Sequence, residues 1–174
     1  EPHAVDQRAV LIAEHLEAAG DGFAAYGWHM RAANWATNRD IASALLSWER
    51  AQKIADALPA DTPHRAALRI APRTMLCGVA WRVHADAGAR FEELRQLCSA
   101  AGDKASLAIA MAGMVIGLAY QARIREASRL ASEAMTLIEA VDDPTLTVGL
   151  SFAPIYAKGE SAEWHQVLQW LERV

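Results

Sequence analysis

Apolar and small residues recur along this 174-residue chain at intervals of forty residues, and this recurrence constrains the fold more than any other feature. A fixed period of this length is typical of repeat proteins, in which a pair of helices is copied along the chain and stacked on the next pair. The copies therefore predict helix hairpins that lie side by side. The matched sets are Ala87, Ala127 and Val167; Phe91, Ala131 and Leu171; Leu94, Ala134 and Val174; and Leu76, Ile116 and Tyr156.

Helical periodicity covers almost the whole sequence. Nine segments carry apolar residues at the i, i+3 and i+4 positions that form one face of a helix, whereas no run alternates as a strand would. Short segments rich in Gly, Asp and Pro separate them, and such short connections make consecutive helices antiparallel neighbours. We expect an all-α fold of about nine helices, at residues 5–19, 23–37, 40–58, 63–85, 89–101, 104–121, 125–141, 144–158 and 162–174.

The length of the chain suits one domain and is short for two. We therefore expect a single helical repeat domain over residues 1–174. The chain does not begin with Met, and Val174 falls within a helical pattern, so we expect a fragment of a larger protein. After a leading helix at 5–19, the expected hairpins are residues 23–58, 63–101, 104–141 and 144–174.

Two prolines lie inside predicted helices. Pro72 and Pro154 each lack a backbone N–H and crowd the preceding turn, at a cost of about 3 kcal/mol. We predict a kink near Ala71 and another near Ala153, or else two short helices in each segment.

Charge and composition argue against several classes of function. Seventeen basic and 21 acidic residues give a formal net charge of -4 without any basic run, so nucleic-acid binding is not expected. Residues 105–122 carry no charge, but Gly113 and Gly117 predict a closely packed interior helix rather than a membrane span. Cys77 and Cys98 lack metal-site or redox spacing, which favours reduced core thiols in a cytoplasmic protein.

A search for catalytic and metal-binding motifs finds none. The chain has no phosphate-binding glycine loop and no HExxH pair, and its six histidines are scattered. His84 and Asp86 are the nearest approach to a metal or base pair, but residues two apart diverge on a helix. We therefore predict no catalytic residue, cofactor or metal, while a site assembled across repeats stays an alternative.

One hairpin near the start of the chain has the residue spacing of a known repeat. Its two helices place small and aromatic residues as the signature of the tetratricopeptide repeat does, although Arg31 stands where that family usually has an aliphatic residue. Later units are longer than that repeat and match only on their second helix. The resemblance implies a tetratricopeptide-like α–α superhelix. The matching residues are Trp28, Ala32 and Trp35, then Ala44, Trp48 and Ala51.

Over nearly its whole length the sequence is also similar to the helical region of actinobacterial, especially mycobacterial, multidomain signalling proteins. In that family a class III adenylate or guanylate cyclase domain, or a DNA-binding domain, is joined to a signal-transduction ATPase and a tetratricopeptide-like segment. The resemblance implies that those sites lie outside this chain. The similar stretches are residues 14–21, 26–33, 48–51, 101–105 and 143–150.

Candidate interaction residues follow from the first resemblance. In tetratricopeptide folds the helix stripe beside the packing positions tends to line a groove, and here that stripe carries Tyr26 and His29. We add Arg69, Arg73 and Trp81 as further candidates. Most of the six tryptophans are expected to fill the core.

These observations predict a non-catalytic regulatory domain of a nucleotide-dependent signalling protein. Its partner would be a protein, a peptide or a small effector, whose binding is passed to an attached ATPase, cyclase or DNA-binding module. One alternative is a structural spacer that self-associates as a homodimer. Another is a helical enzyme with a site between repeats.

Overall fold

The structure, a computed structural model, describes residues 2–83 and 87–173, with side chains from Val5 onward. These residues form ten α-helices and one 3₁₀ helix without any β-strand, which confirms the predicted all-α class. The predicted first helix is divided at Arg8, whose φ of -101° and ψ of 3° are not helical. The helices are α1 (Pro2–Gln7), α2 (Ala9–Ala18), α3 (Gly22–Ala36), α4 (Ile41–Ala57), α5 (Arg65–Val79), the 3₁₀ helix (Ala80–Val83), α6 (Gly88–Ala101), α7 (Lys104–Tyr120), α8 (Ile124–Val141), α9 (Pro144–Glu160) and α10 (Trp164–Leu171).

The chain divides into two compact units, Glu1–Leu76 and Cys77–Val174, with the division inside α5. In the first unit α3 packs on α2 and on α4. In the second unit α7 packs on α8 and α9, and α8 packs on α9, so these successive hairpins are layered. That residues 1–174 form one domain with a tetratricopeptide-like superhelix stays a prediction.

The turns of the second unit repeat with the same period as its packing residues. Gly102 and Asp142, which follow α6 and α8, have left-handed φ values of 69° and 56°. Ala122 and Ala162, which follow α7 and α9, have φ values of 58° and 60°. Alanine disfavours this conformation. A left-handed alanine nevertheless occurs at both places, forty residues apart, which indicates that helix packing dictates the conformation of this turn. The backbone conformation therefore repeats together with the sequence.

Most of the matched small and apolar residues are buried. Ala127, Ala131 and Ala134 of α8 are fully inaccessible, and their counterparts Ala87, Phe91 and Leu94, at the start of α6 and within it, are at most 7% exposed. On α10 the pattern changes, since Val167 is buried but Leu171 is 56% exposed. Most of the repeat positions thus lie in the interior, whereas Tyr156 is half-buried and Leu171 is exposed; Val174 lies outside the described residues.

Through two glycines, helix α7 meets the end of α5 and the 3₁₀ helix that follows it. A Cβ atom added to Gly113 would lie 2.4 Å from the carbonyl oxygen of Gly78, and one added to Gly117 would lie 3.6 Å from the Cβ of Trp81. The prediction that these glycines permit close helix contact is confirmed. Among the described residues, no helix is both long and apolar enough to cross a membrane.

Both internal prolines lie within continuous helices. Pro72 is inside α5 and Pro154 inside α9, and both side chains are fully buried. The alternative of two short helices in each segment is therefore wrong. The predicted kinks near Ala71 and Ala153 stay predictions.

We expect Gly113→Ala to lower the free energy of unfolding by about 2 kcal/mol. The added methyl meets backbone atoms that cannot rotate away, at a cost of roughly 1–3 kcal/mol, which exceeds the gain of under about 1 kcal/mol from replacing a helical glycine. The matched control is Gly149→Ala in α9, where the space is open, and this change should stabilise. Thermal unfolding of both variants tests the contact, and equal effects would contradict it.

Candidate functional site

Tyr26 is a buried residue of the first unit, and its hydroxyl supplies a hydrogen bond that the backbone of α5 lacks. Only 8% of Tyr26 is exposed, and its hydroxyl donates to the carbonyl oxygen of Leu68 at 3.0 Å. That carbonyl lies four residues before Pro72, which has no N–H to offer it. Burial raises the pKa of Tyr26 to about 12, so the hydroxyl keeps the proton that it donates.

Arg69 and Arg73 converge on one carboxylate at the end of α4. Arg69 Nε lies 2.8 Å from Asp56 Oδ1, and Nη2 of the buried Arg73 lies 2.7 Å from Oδ2. Burial alone would raise the pKa of Asp56, but hydrogen bonds from Arg73 and Arg69 outweigh that effect and lower it. Arg65 adds bonds to the carbonyls of Asp56 and Leu58. These arginines therefore attach α5 to the end of α4.

His29 lies at the floor of a cavity. The residue is 2% exposed on α3, and its Nε2 is hydrogen-bonded to the carboxylate of Glu17 on α2. Arg50 Nη1 approaches the other oxygen of Glu17 at 3.5 Å. The buried Nδ1 of His29 has no hydrogen-bond partner. His29 also lines a cavity of about 260 Å³ whose other walls come from α2 and α4.

Trp81 begins a row of aromatic side chains in the second unit. Its indole N–H donates to the Gly78 carbonyl at 3.1 Å, and its ring meets Tyr120 edge to face at 5.7 Å between centroids. Tyr120 meets Tyr156 in the same way at 6.1 Å, and Tyr156 stacks on Phe152 at 5.9 Å. We call these four side chains, Trp81, Tyr120, Tyr156 and Phe152, the aromatic row.

The aromatic row lies partly in solvent. Tyr120 is 53% exposed and Phe152 is 68% exposed, whereas Trp81 and Tyr156 are half-buried. The four rings come from the 3₁₀ helix, α7 and α9. The row therefore crosses several helices, and part of its aromatic surface is not buried in the core.

A cavity of about 380 Å³ adjoins Trp81 between α6, α7 and α8. Four residues that line this cavity occupy the repeat positions that, forty residues later, hold a cluster of hydrogen-bonded polar side chains. The lining residues and their counterparts are Gly88 and Ser128, Leu118 and Lys158, Gln121 and Ser161, and Arg123 and Glu163.

That polar cluster joins α8 to the turn between α9 and α10. Lys158 is 3% exposed, and its Nζ lies 2.7 Å from Glu163 and 2.8 Å from Ser128 Oγ. Hydrogen bonds from Lys158, Ser128 and Ser161 lower the pKa of Glu163 to about 2. The buried Lys158 thus has a carboxylate partner, and the cluster links α8 to the turn between α9 and α10.

The remaining reactive side chains are arranged as follows. Cys77 and Cys98 are buried and form no disulfide, and burial, with lesser contributions from Asp103 and Cys77, raises the pKa of Cys98 to about 11. In residues 5–83 and 87–173, no three His, Cys, Asp or Glu side chains are grouped to hold a metal ion. The pair His84 and Asp86 lies outside the described residues.

The structure therefore gives the five candidates different environments. Tyr26, Arg69 and Arg73 are engaged in contacts within the first unit, His29 faces a cavity, and Trp81 joins the aromatic row. Their use in binding stays a prediction. Tyr120, Tyr156 and Phe152 were not among the predicted site residues, although Tyr156 belongs to the forty-residue register.

We expect Tyr26→Phe to cost about 1 kcal/mol of stability, because it leaves the Leu68 carbonyl without its donor. In a Pro72→Ala background the same change should cost much less, since the alanine introduced there would supply the missing N–H. A double-mutant cycle by urea unfolding measures this coupling. Purely additive effects would show that the two residues do not serve the same carbonyl.

No protein-family model, curated protein or solved structure matches this chain. What the aromatic row and the two cavities do must therefore follow from the residues that form them.

Proposed function

We propose that this chain is a non-catalytic, tetratricopeptide-like binding module of a nucleotide-dependent signalling protein, and that its second unit binds an extended peptide segment. The observation that carries the proposal is the aromatic row. Four rings, each in contact with the next, cross several helices, and two of them are more than half exposed.

The chemistry of the row suits peptide recognition. Large aromatic rings contribute much apolar contact area and lose little rotamer entropy on binding, so they are enriched at the points that dominate binding energy. The two tyrosines add hydroxyl groups that can bond to a peptide backbone. A segment lying across the row would cover Tyr120 and Phe152, the rings with most surface left to bury.

The regulatory role rests on the sequence resemblance and on the charged side chains. The most deeply buried charged residues, Arg73 and Lys158, make structural ion pairs with Asp56 and Glu163. These buried charges therefore serve to hold helices together. In the proposed protein, a peptide that binds one conformation of the repeat better than another shifts the state of an attached ATPase, cyclase or DNA-binding module.

Selection from a random peptide display library tests the binding site. We expect enrichment of peptides on the wild-type chain, and a loss of affinity of about tenfold or more for a selected peptide in Tyr120→Ala and in Phe152→Ala. Fluorescence polarisation with the labelled peptide measures the loss.

The matched control is Phe23→Ala, which removes an aromatic side chain of similar exposure, 61%, from the first unit. This variant should keep the wild-type affinity. An equal loss in Phe23→Ala, or no loss in either row variant, would contradict binding at the row.

A second candidate function is self-association through the last hairpin, and a specific surface favours it. The end face, Val148, Phe152, Trp164, Leu168 and Leu171, consists of large apolar side chains that are each more than half exposed. Forty residues earlier, four of these positions are buried small residues: Ala108, Ala112, Ser128 and Ala131. The end face is therefore the kind of surface that another helix hairpin covers.

The helix hairpin that covers the end face can come from a second copy of this chain. Covering the end face removes on the order of 500 Å² of apolar surface from each copy, which approaches the roughly 800 Å² per partner of a stable interface.

Sedimentation velocity over a concentration series should then show a dimer that Leu168→Asp and Leu171→Asp abolish. Leu46→Asp, at a 65% exposed site in the first unit, is the control. A wild-type monomer at all concentrations would overturn self-association and leave the peptide site unaffected.

A further inference from the structure

The ring of His29, which lines the cavity between α2 and α4, carries a buried nitrogen without a hydrogen-bond partner. A carboxylate can only accept, so the Nε2 of a neutral His29 carries the proton that is shared with Glu17. In that tautomer Nδ1 is an acceptor. Nδ1 is buried and has no hydrogen-bond partner, so the first unit holds an unsatisfied acceptor within the ring that lines this cavity.

Opposite charges flank this nitrogen. Helix α2 contributes Glu14 to the cavity wall, and α4 contributes Glu49, Arg50 and Lys53, so the α4 wall keeps an excess of positive charge. Arg50 reaches Glu17 at 3.5 Å. Among the side chains described from Val5 onward, neither Glu14 nor Lys53 has an ion-pair partner. One wall therefore offers a carboxylate and the opposite wall an ammonium group, both available to a ligand.

Size limits what can enter. The cavity volume of about 260 Å³ lies just below the range of about 300–1,000 Å³ that is typical of sites for drug-sized ligands. Leu46, 65% exposed, provides apolar surface at the rim, and the nearly buried Ser47 provides a hydroxyl inside.

We infer that this cavity is a binding site for a small zwitterion of the α-amino-acid class. The ammonium group of the ligand donates to His29 Nδ1 and pairs with Glu14. Its carboxylate pairs with Lys53 and accepts from Ser47, and an apolar side chain lies against Leu46. The site lies wholly in the first unit and does not depend on the aromatic row.

Isothermal titration calorimetry of the full chain with each common α-amino acid tests this inference. We expect at least one apolar α-amino acid to bind in a one-to-one, saturable manner. Its N-acetyl and C-amide derivatives should bind at least tenfold more weakly, because each lacks one of the two charges. A second readout is the ¹⁵N resonance of His29 Nδ1, which should move when the nitrogen accepts a hydrogen bond.

Two variants at exposed positions identify the charged walls. Glu14→Gln and Lys53→Gln should each weaken the affinity about tenfold, and Ser47→Leu should abolish binding by filling the cavity. The matched controls are Glu172→Gln and Lys104→Gln, which remove the same charges from exposed positions of the second unit. These controls should bind as the wild type does.

Absence of binding by any α-amino acid at millimolar concentration would overturn the inference. Equal loss in the wall variants and the controls would overturn it as well. A ligand whose affinity falls in Tyr120→Ala but not in Lys53→Gln would place the site on the aromatic row instead. Failure of peptide binding at the row would leave this site unaffected, so the two proposals fail separately.

Discussion

Helices in the second unit approach one another through alanine and glycine, and much of the structure follows from that closeness. Gly113 leaves no room for a methyl group against Gly78, and Ala127 and Ala131 are fully buried. Small side chains bury little area each, so cohesion comes from many close backbone contacts, which lose almost no side-chain entropy. Where helices are held this close, as α7 is against α5, little space is left for rings between them, and the buried rings of Phe91 and Trp170 come from α6 and α10 instead. The aromatic side chains of the row consequently lie at the margin of the helices, where they remain partly in solvent.

Several buried polar side chains complete the backbone or neutralise a charge. The hydroxyl of Tyr26 replaces the N–H that Pro72 cannot supply, so a continuous α5 and a buried tyrosine depend on each other. Arg73 and Lys158 are buried together with the carboxylates that pair with them. An unpartnered charge at either position would be costly, and removal of one partner destabilises more than the pair itself stabilises. His29 differs from this set, because one of its nitrogens has a partner and the other has none.

The sequence was sufficient to predict features that depend on local periodicity. The helical class, the place of most turns and the close contact at Gly113 all follow from patterns within one or two repeats. Features that depend on which distant residues meet were not predictable in the same way. The partner of Tyr26 is a carbonyl forty-two residues away, and the aromatic row needs the 3₁₀ helix, α7 and α9 to be placed side by side. The break at Arg8 has no glycine or proline to mark it, so periodicity alone predicts one helix across it.

Phe152 belongs both to the aromatic row and to the end face, and this shared position has a consequence for regulation. A peptide that covers Phe152 competes with any helix hairpin that stacks on α9, since one ring cannot contact both. By thermodynamic linkage, the occupant of the end face then weakens peptide binding by the same factor by which the peptide weakens stacking. A repeat of this kind needs no catalytic group to transmit a signal, because the exchange of one covering surface for another changes what the last hairpin can bind. In the proposed function, that exchange would couple partner binding to the state of an attached domain.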